Sequence, residues 1–197
     1  MSQSELQRLV EVMDRLRSPG GCAWDAEQTH ASLIKYLLEE SYEFIDAIET
    51  DDRAGMREEL GDVLLQVYFH SRIAQDHPTD PFSIEDVARA IADKLISRHP
   101  HVFDNLEVSG TKEIIENWEA IKAREKGRTS AIDGIAMSQP ALPLVSKIFY
   151  RAEKYGVDLE LASYTTEEEA NESAVGEMLA SVIGWAHANG IDPENAL

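Results

Sequence analysis

Cysteine is nearly absent from the chain, and so are the long apolar runs of membrane proteins. The single cysteine among the 197 residues, Cys22, excludes an intramolecular disulfide framework and is typical of proteins of the reducing cytosol. No stretch approaches the roughly 20 apolar residues that a membrane helix needs, so no membrane partner is expected. Residues 1–5 lack the basic and apolar segments of a secretory signal, which favours a cytoplasmic protein.

Basic residues are scarce relative to acidic ones. The sequence has 18 lysines and arginines against 37 aspartates and glutamates, a formal net charge of −19. Because a nucleic-acid polymer is bound through a basic surface, this balance argues against such a partner. It does not exclude a single nucleotide held through metal ions. The length and a hydrophobic content of 43% allow one domain with a real core, with or without a small appendage.

Helical periodicity dominates the chain, and no convincing alternation of the kind that marks strands is present, so we expect an all-α fold. Proline and glycine mark the breaks between helices. The predicted helices cover about 5–17, 31–49, 53–75, 84–98, 111–126, 144–155 and 167–189. Residues 22–25 are predicted to form a loop, and Thr111 is predicted to cap the fifth helix.

Two neighbouring predicted helices each carry carboxylates three residues apart. Glu40 and Glu43 lie in the second helix, and Glu59 and Asp62 lie in the third. Residues at this spacing share a helix face, and residues 44–58 leave room for a turn and an antiparallel return, so the two pairs can face each other. Four converging carboxylates repel strongly, and a divalent cation would relieve that repulsion. All-oxygen ligands favour Mg²⁺ first and Mn²⁺ second.

The alternative to a cation site is that these acids lie on solvated helix faces. This alternative is favoured for any one of the acids but not for the whole set. The acids flank predicted buried stripes, and half-buried carboxylates need a cation or a base. Few bases are near in sequence: Lys35, Arg53 and Arg57. The predicted buried residues are Ile34, Leu37, Leu38, Ile45 and Ile48 in the second helix and Leu60, Val63, Leu64, Val67 and Tyr68 in the third.

Three other residues are candidates for ligand binding. Lys94 and Arg98 are four apart near the end of a predicted helix and could grip phosphates, although favourable placement against the helix dipole explains them equally well. Trp24 follows a glycine-rich segment and could stack on a base or serve as a buried loop anchor. No phosphate-binding Gly-rich motif, nucleophile elbow or second Glu-x-x-His accompanies them, which makes covalent catalysis and a di-iron centre unexpected.

The C-terminal part of the sequence faintly repeats the acidic region. When residues 175–182 are aligned on their glycine with residues 60–67, Glu177 stands where the first segment has Asp62, and Ala174 stands in place of Glu59. Chance similarity between two amphipathic helices is an equal alternative on these residues alone.

The motif Glu39-Glu40-x-x-Glu43, followed by Glu59-x-x-Asp62, resembles the signature of the MazG nucleoside triphosphate pyrophosphohydrolases. Residues 21–29 are similar to the family's loop before the metal helix, with Ala23 where proline is commoner. Residues 93–103 and the segment Trp118-Glu119-x-Ile121-Lys122 are also similar to the family. The resemblance covers about residues 5–126 and weakens after Pro143.

This resemblance implies a four-helix-bundle-like core in an intertwined homodimer that hydrolyses (deoxy)nucleoside triphosphates to monophosphate and pyrophosphate with Mg²⁺, in sanitation of the nucleotide pool. Residues 1–126 would be the catalytic domain, 127–143 a linker and 144–197 a shortened, degenerate second copy. The implied metal ligands are Glu40, Glu43, Glu59 and Asp62; Glu39 would orient or deprotonate the attacking water; and the implied substrate-binding residues are Lys94, Arg98, Trp24 and Lys122.

A non-catalytic module that docks a basic partner through its acidic surface is the hypothesis from another class. The intact set of four acids argues against it, because a decayed enzyme would be expected to lose ligands, as the second copy has done at Ala174.

Overall fold

The computed structural model describes residues 3–127, 129–159 and 171–196, and these residues are helical or irregular with no strand, which confirms the all-α fold class. The helices are α1 (Glu5–Arg17), α2 (Ala23–Glu27), α3 (Ile34–Glu49), α4 (Arg53–Ala74), α5 (Ile84–Arg98), α6 (Pro100–Phe103), α7 (Thr111–Glu125), α8 (Ala141–Lys154) and α9 (Glu172–Ala188). None of the described helices has the length and apolar character to span a membrane. The chain forms two compact units, Met1–Asn105 and Leu106–Leu197.

Several local predictions were wrong. The predicted loop at 22–25 largely belongs to the short helix α2, whose N-cap is Cys22. α3 begins only at Ile34, after a turn at residues 30–33, and a further short helix, α6, follows α5. Thr111 is the first residue of α7 and does not cap it; Ser109 instead donates from its backbone N–H and its hydroxyl to Glu113, at 2.8 and 2.7 Å.

α8 begins at Ala141, three residues earlier than predicted. α9 begins at Glu172, where the Asn171 side chain accepts a hydrogen bond from the backbone N–H of Ala174 at 3.0 Å. The predicted beginning of this helix at Glu167 lies outside the described residues.

An antiparallel pair, α3 and α4, organises the first unit. The chain turns at Asp51, whose φ of 53° is in the left-handed region. Asp52 then caps α4 by accepting hydrogen bonds from the backbone N–H groups of Ala54 and Gly55, both at 3.0 Å. This turn fixes which residue of α3 lies opposite which residue of α4.

The two ends of the helix pair show its register. Near the turn, Ala47 lies opposite Gly55, and a Cβ added to Gly55 would be 3.4 Å from the Cβ of Ala47. At the far end, Leu33 packs in one core cluster with Phe69 and Met13 of α1. Leu33 is 1% exposed and Met13 is 2% exposed, so the first unit has its core at this end.

The predicted buried stripes were largely wrong. Ile34, Leu38 and Ile45 of α3 are 46–56% exposed within the chain, and Leu60 of α4 is 53% exposed. Among the predicted stripe residues, Tyr68 alone is buried, with 8% of its surface exposed. The face of α3 that meets α4 instead carries Tyr36, Glu40, Glu43 and Ala47. Periodicity identified an apolar face correctly but could not show what covers it.

Two contacts attach the N-terminal segments to α4. Arg72 of α4 pairs with Asp14 of α1 at 2.9 Å. The Nδ1 atoms of His30 and His70 are 2.8 Å apart, so a hydrogen bond between the rings ties the turns before α3 to α4. These contacts bring α1, α2 and α3 around one end of α4.

In the second unit α8 packs against α9. Their contact buries Phe149 and Ala152 of α8 and Ile183 and Ala186 of α9. α7 belongs to this unit as well. The division into two compact units does not test which residues are catalytic. The assignment of 1–126 as the catalytic domain therefore stays a prediction.

We expect Leu33→Ala to lower the free energy of unfolding by about 2–5 kcal/mol, because it opens a cavity in the core of the first unit. Urea unfolding followed by far-UV circular dichroism measures this effect. Leu6→Ala, at a position 57% exposed on α1, is the matched control and should change the midpoint little. Equal midpoints for the two variants would show that the core does not lie at Leu33.

Candidate active site

The register of α3 and α4 brings the predicted acids together. Carboxylate oxygens of Glu40, Glu43 and Glu59 all lie within 4.8 Å of one another. The charges of Glu43 and Asp62 both contribute to raising the pKa of Glu59, and Asp62 is the carboxylate whose charge acts most strongly on Glu40. We call Glu40, Glu43, Glu59 and Asp62 the acidic cluster. The sequence had suggested that these acids flank an apolar stripe. The acidic cluster lies instead in the contact between α3 and α4.

Asp62 is the outer member of the acidic cluster. It does not belong to the group of oxygens within 4.8 Å, but its charge contributes to raising the pKa of both Glu40 and Glu59. It lies one helical turn after Glu59 on the same face of α4. The structure therefore gathers three of the predicted ligands tightly and places the fourth within electrostatic reach.

Burial and mutual repulsion both disfavour the ionised acids. Desolvation is the largest cause of the raised pKa of Glu40, followed by the charges of Asp62 and Glu43. Desolvation also leads for the raised pKa of Glu59, followed by the charges of Glu43 and Asp62. A carboxyl held in this way retains its proton longer or is compensated by a cation. The acidic cluster thus has the charge of a cation site.

The chemistry of the donor atoms fits a divalent metal ion. All four side chains offer carboxylate oxygens, which are ligands of hard cations. Glu39 is exposed next to the cluster, and its charge also contributes to raising the pKa of Glu40. Its predicted role with the attacking water remains a prediction.

Trp24 is neither the buried anchor nor a free loop residue. Its ring packs edge-on against Tyr36 at 5.8 Å and against Phe69 at 6.4 Å between centroids, and the residue is still 49% exposed. Tyr36 precedes Glu40 by four residues on the same face of α3, a rise of about 6 Å. The half-exposed indole therefore packs against a residue that lies about one helical turn from Glu40.

The predicted cationic residues have different surroundings. Lys94 is exposed on α5, whereas Arg98, one turn later, is 9% exposed. Lys122 lies on α7 in the second unit, with its ammonium 4.3 Å from the centroid of the Trp118 ring and 4.0 Å from a carboxylate oxygen of Glu119. Contact of these residues with a phosphate remains a prediction.

Sequence reasoning missed two residues that support Trp24. Tyr36 was not singled out, although its spacing from Glu40 places both on one helix face. Arg17 was treated only as the end of the first helix, yet its guanidinium donates hydrogen bonds to backbone carbonyls at the end of α2. No local pattern signals such a contact, because it joins a side chain to the backbone of a separate helix.

Comparison with known proteins matches this chain to one protein family. The family model of the MazG nucleotide pyrophosphohydrolase domain matches residues 28–103. The nucleoside triphosphate pyrophosphohydrolase/pyrophosphatase MazG of Thermotoga maritima is 42% identical over 207 residues, which cover 97% of this chain and 79% of that protein. An uncharacterized 26.1 kDa protein of Streptomyces cacaoi is 46% identical over 195 residues, 98% of this chain and 77% of the relative.

A third relative is the nucleoside triphosphate pyrophosphohydrolase of Escherichia coli K12, which is 43% identical over 159 residues, 79% of this chain and 60% of that protein. The chain therefore belongs to the MazG family of nucleotide pyrophosphohydrolases, hydrolases that act on phosphoric anhydride bonds. This confirms the family resemblance. The segment that the family model matches contains the whole acidic cluster, whereas Trp24 and Lys122 lie outside it.

The raised pKa values predict how pH acts on the metal-free protein. In the folded state Glu40 and Glu59 keep their protons at pH values above the ordinary glutamate pKa of 4.5. The stabilisation from these protonated carboxyls is therefore complete below pH 4.5 and is lost as pH rises through the raised pKa. We expect Glu40→Gln to gain free energy of unfolding relative to the wild type between about pH 4.5 and pH 7. Urea unfolding with chelator measures this, and a difference independent of pH would contradict it.

Proposed function

We propose that this chain hydrolyses nucleoside and deoxynucleoside triphosphates to monophosphate and pyrophosphate with Mg²⁺ held by the acidic cluster. The observation that carries the proposal is the convergence of Glu40, Glu43 and Glu59 within 4.8 Å in a chain of the MazG family. The Thermotoga and Escherichia relatives are named as nucleoside triphosphate pyrophosphohydrolases, which supports the substrate class. Sanitation of the nucleotide pool in the cytoplasm is the role we propose for this reaction.

Four carboxylates would hold the ion: Glu40, Glu43, Glu59 and Asp62. Mg²⁺ fits this all-oxygen set, and Mn²⁺ is a possible substitute. When bound, such an ion neutralises charge on the phosphates and lowers the pKa of water. The raised pKa values of Glu40 and Glu59 support the assignment, because a bound cation would remove the repulsion that raises them.

The reaction that we propose breaks the anhydride bond between the α- and β-phosphorus atoms. Water attacks the α-phosphorus, and pyrophosphate leaves. Glu39, exposed beside the cluster, would orient this water and accept its proton. Lys94 and Arg98 would bind the outgoing phosphates, Trp24 would stack on the base, and Lys122 would provide a further substrate contact.

We also propose that the protein is a homodimer. The outer face of α3, opposite α4, carries apolar side chains that stay about half exposed among the described residues, including Ile34, Leu38 and Ile45. An apolar helix face of this length is typical of an interface. The same face on a second copy offers a matching surface, because a two-fold interface pairs like with like.

Residues 144–197 are proposed to contribute packing and not catalysis. Ala174 cannot ligate a metal, and Glu177 moves a carboxylate by one methylene relative to aspartate, although Mg²⁺ tolerates little displacement. A regulatory or binding module without catalysis is the alternative function for the whole chain. Release of pyrophosphate from deoxynucleoside triphosphates, with and without Mg²⁺, distinguishes the two.

We expect Glu40→Gln and Asp62→Asn to abolish hydrolysis while the protein remains helical. Loss of an outer-shell partner of a metal site already costs about 10–100-fold, so loss of a ligand should lower turnover by about 100-fold or more. Glu49→Gln, an exposed acid at the end of the same helix α3, is the control and should retain turnover. Near-wild-type pyrophosphate release by either variant would remove that residue from the site.

We expect the wild-type chain of 22.0 kDa to sediment as a dimer at micromolar concentration. Ile45→Glu places a charge on the outer face of α3 and should give a monomer. Val12→Glu alters a side chain of α1 that is 46% exposed, as Ile45 is, and should leave the dimer intact. A monomeric wild type, or a dimeric Ile45→Glu variant, would contradict the proposed interface.

A further inference from the structure

The short helix α2, which carries Trp24, depends on its surroundings for its position. It has five residues, too few for a helix to be stable in isolation. The chain enters it through Gly21, where a Cβ would be only 2.3 Å from the carbonyl oxygens of Arg15 and Leu16, and through a hydrogen bond from the Cys22 N–H to the Leu16 carbonyl at 2.8 Å. The beginning of α2 is therefore fixed against the end of α1.

Arg17 fixes the other end of α2. Its Nη1 donates to the carbonyl oxygen of Asp25 and, at 3.3 Å, to that of Gln28. These carbonyls belong to the last turn and C-cap of α2, where the partial negative charge of a helix collects. A guanidinium is the side chain best suited to donate to two such acceptors at once.

The guanidinium is itself held in place by the ring that supports Trp24. Its central carbon lies 5.4 Å from the centroid of Phe69, and the same ring contacts Trp24 edge-on at 6.4 Å. The Nε atom of Arg17 is buried without a hydrogen-bond partner among the described residues. An unpaired buried donor is unfavourable and does not favour this position. The hydrogen bonds from Nη1 and the contact with the Phe69 ring therefore set the orientation of the Arg17 side chain.

Gln28 carries the restraint back to the tryptophan. Its carbonyl accepts from Arg17, and its side-chain Nε2 donates to the carbonyl of Trp24 at 2.9 Å. Arg17 thus reaches Trp24 by two routes, through the backbone of α2 and through the shared contact with Phe69. Neither route requires Arg17 to touch a ligand.

We propose that Arg17 is a positioning residue for base recognition: it holds α2 so that the exposed half of the Trp24 indole is presented to the nucleobase. This inference rests on the proposed function, in which Trp24 stacks on the base. It assigns the strength of base binding to an arginine that belongs to neither the metal site nor the phosphate contacts.

The test compares nucleotides with inorganic triphosphate, which has no base. We expect Arg17→Met to raise the KM for a nucleoside triphosphate by about tenfold, within the range that loss of one base–aromatic stack gives, with kcat within about twofold. The inhibition constant of inorganic triphosphate should not change. Arg17→Lys keeps the charge and some donors and should restore part of the loss.

Arg15→Met is the matched control, because Arg15 lies on the same helix with an exposed side chain that donates to the carbonyl of Gly20, at 3.3 Å. It should leave KM unchanged. An unchanged KM in Arg17→Met, or equal weakening of nucleotide and inorganic triphosphate, would overturn the inference, since equal weakening is what general destabilisation produces. If Arg17→Met does not fold, a KM for Arg17→Lys equal to that of the wild type overturns it.

Trp24→Ala separates this inference from the proposed function. If Trp24→Ala raises KM and Arg17→Met does not, the inference fails and the proposed function stands. If both raise KM, the double variant should be no worse than Trp24→Ala alone, and additive losses would overturn the inference. If the wild type hydrolyses no nucleotide, the proposed function fails. Calorimetric dissociation constants for the nucleotide and for inorganic triphosphate then replace KM and the inhibition constant. The same outcomes decide the inference about Arg17.

Discussion

The mutual repulsion of carboxylates held between two helices is the constraint on which the rest of the first unit depends. Glu40 and Glu43 of α3 meet Glu59 and Asp62 of α4 because the turn at Asp51 and Asp52 fixes the register. Desolvation and like charge raise the pKa of Glu40 and of Glu59, so this contact is unfavourable when all four acids are ionised. The apolar packing at the end of the helix pair, around Leu33 and Phe69, must hold the acids together against that repulsion.

The pair α3 and α4 also determines where apolar side chains are exposed and how Trp24 is supported. Its inner face is given to the acids, so the apolar side chains of α3 that a monomer would bury point outward, and we propose that a second copy covers them. At its far end the pair supports Trp24 through Tyr36 and Phe69, while Arg17 holds the helix that carries the tryptophan. Tyr36, which contacts Trp24, and Glu40 of the acidic cluster then lie about one helical turn apart on a single face of α3.

Much of this was predictable from the sequence, for identifiable physical reasons. The step of three residues places Glu40 beside Glu43 and Glu59 beside Asp62 in any α-helix, and the intervening length leaves room for an antiparallel return. The predicted stripe of Ile34, Leu38 and Ile45 was assigned to the wrong surroundings, because periodicity shows that a face is apolar but not which chain covers it. The helix α2 is too short to have a period, and its contact with Arg17 is formed only in the folded unit.

Measuring Mg²⁺ binding together with the protons that it releases tests whether the acidic cluster holds a divalent cation. Calorimetric titration of the metal-free protein in two buffers of different ionisation enthalpy gives both quantities, because ligand carboxyls with raised pKa values must lose their protons when the ion binds. We expect saturable binding with proton release at mildly acidic pH in the wild type, lost in Glu59→Gln and retained in Glu49→Gln. Binding that is absent from the wild type, or unchanged in Glu59→Gln, would contradict it.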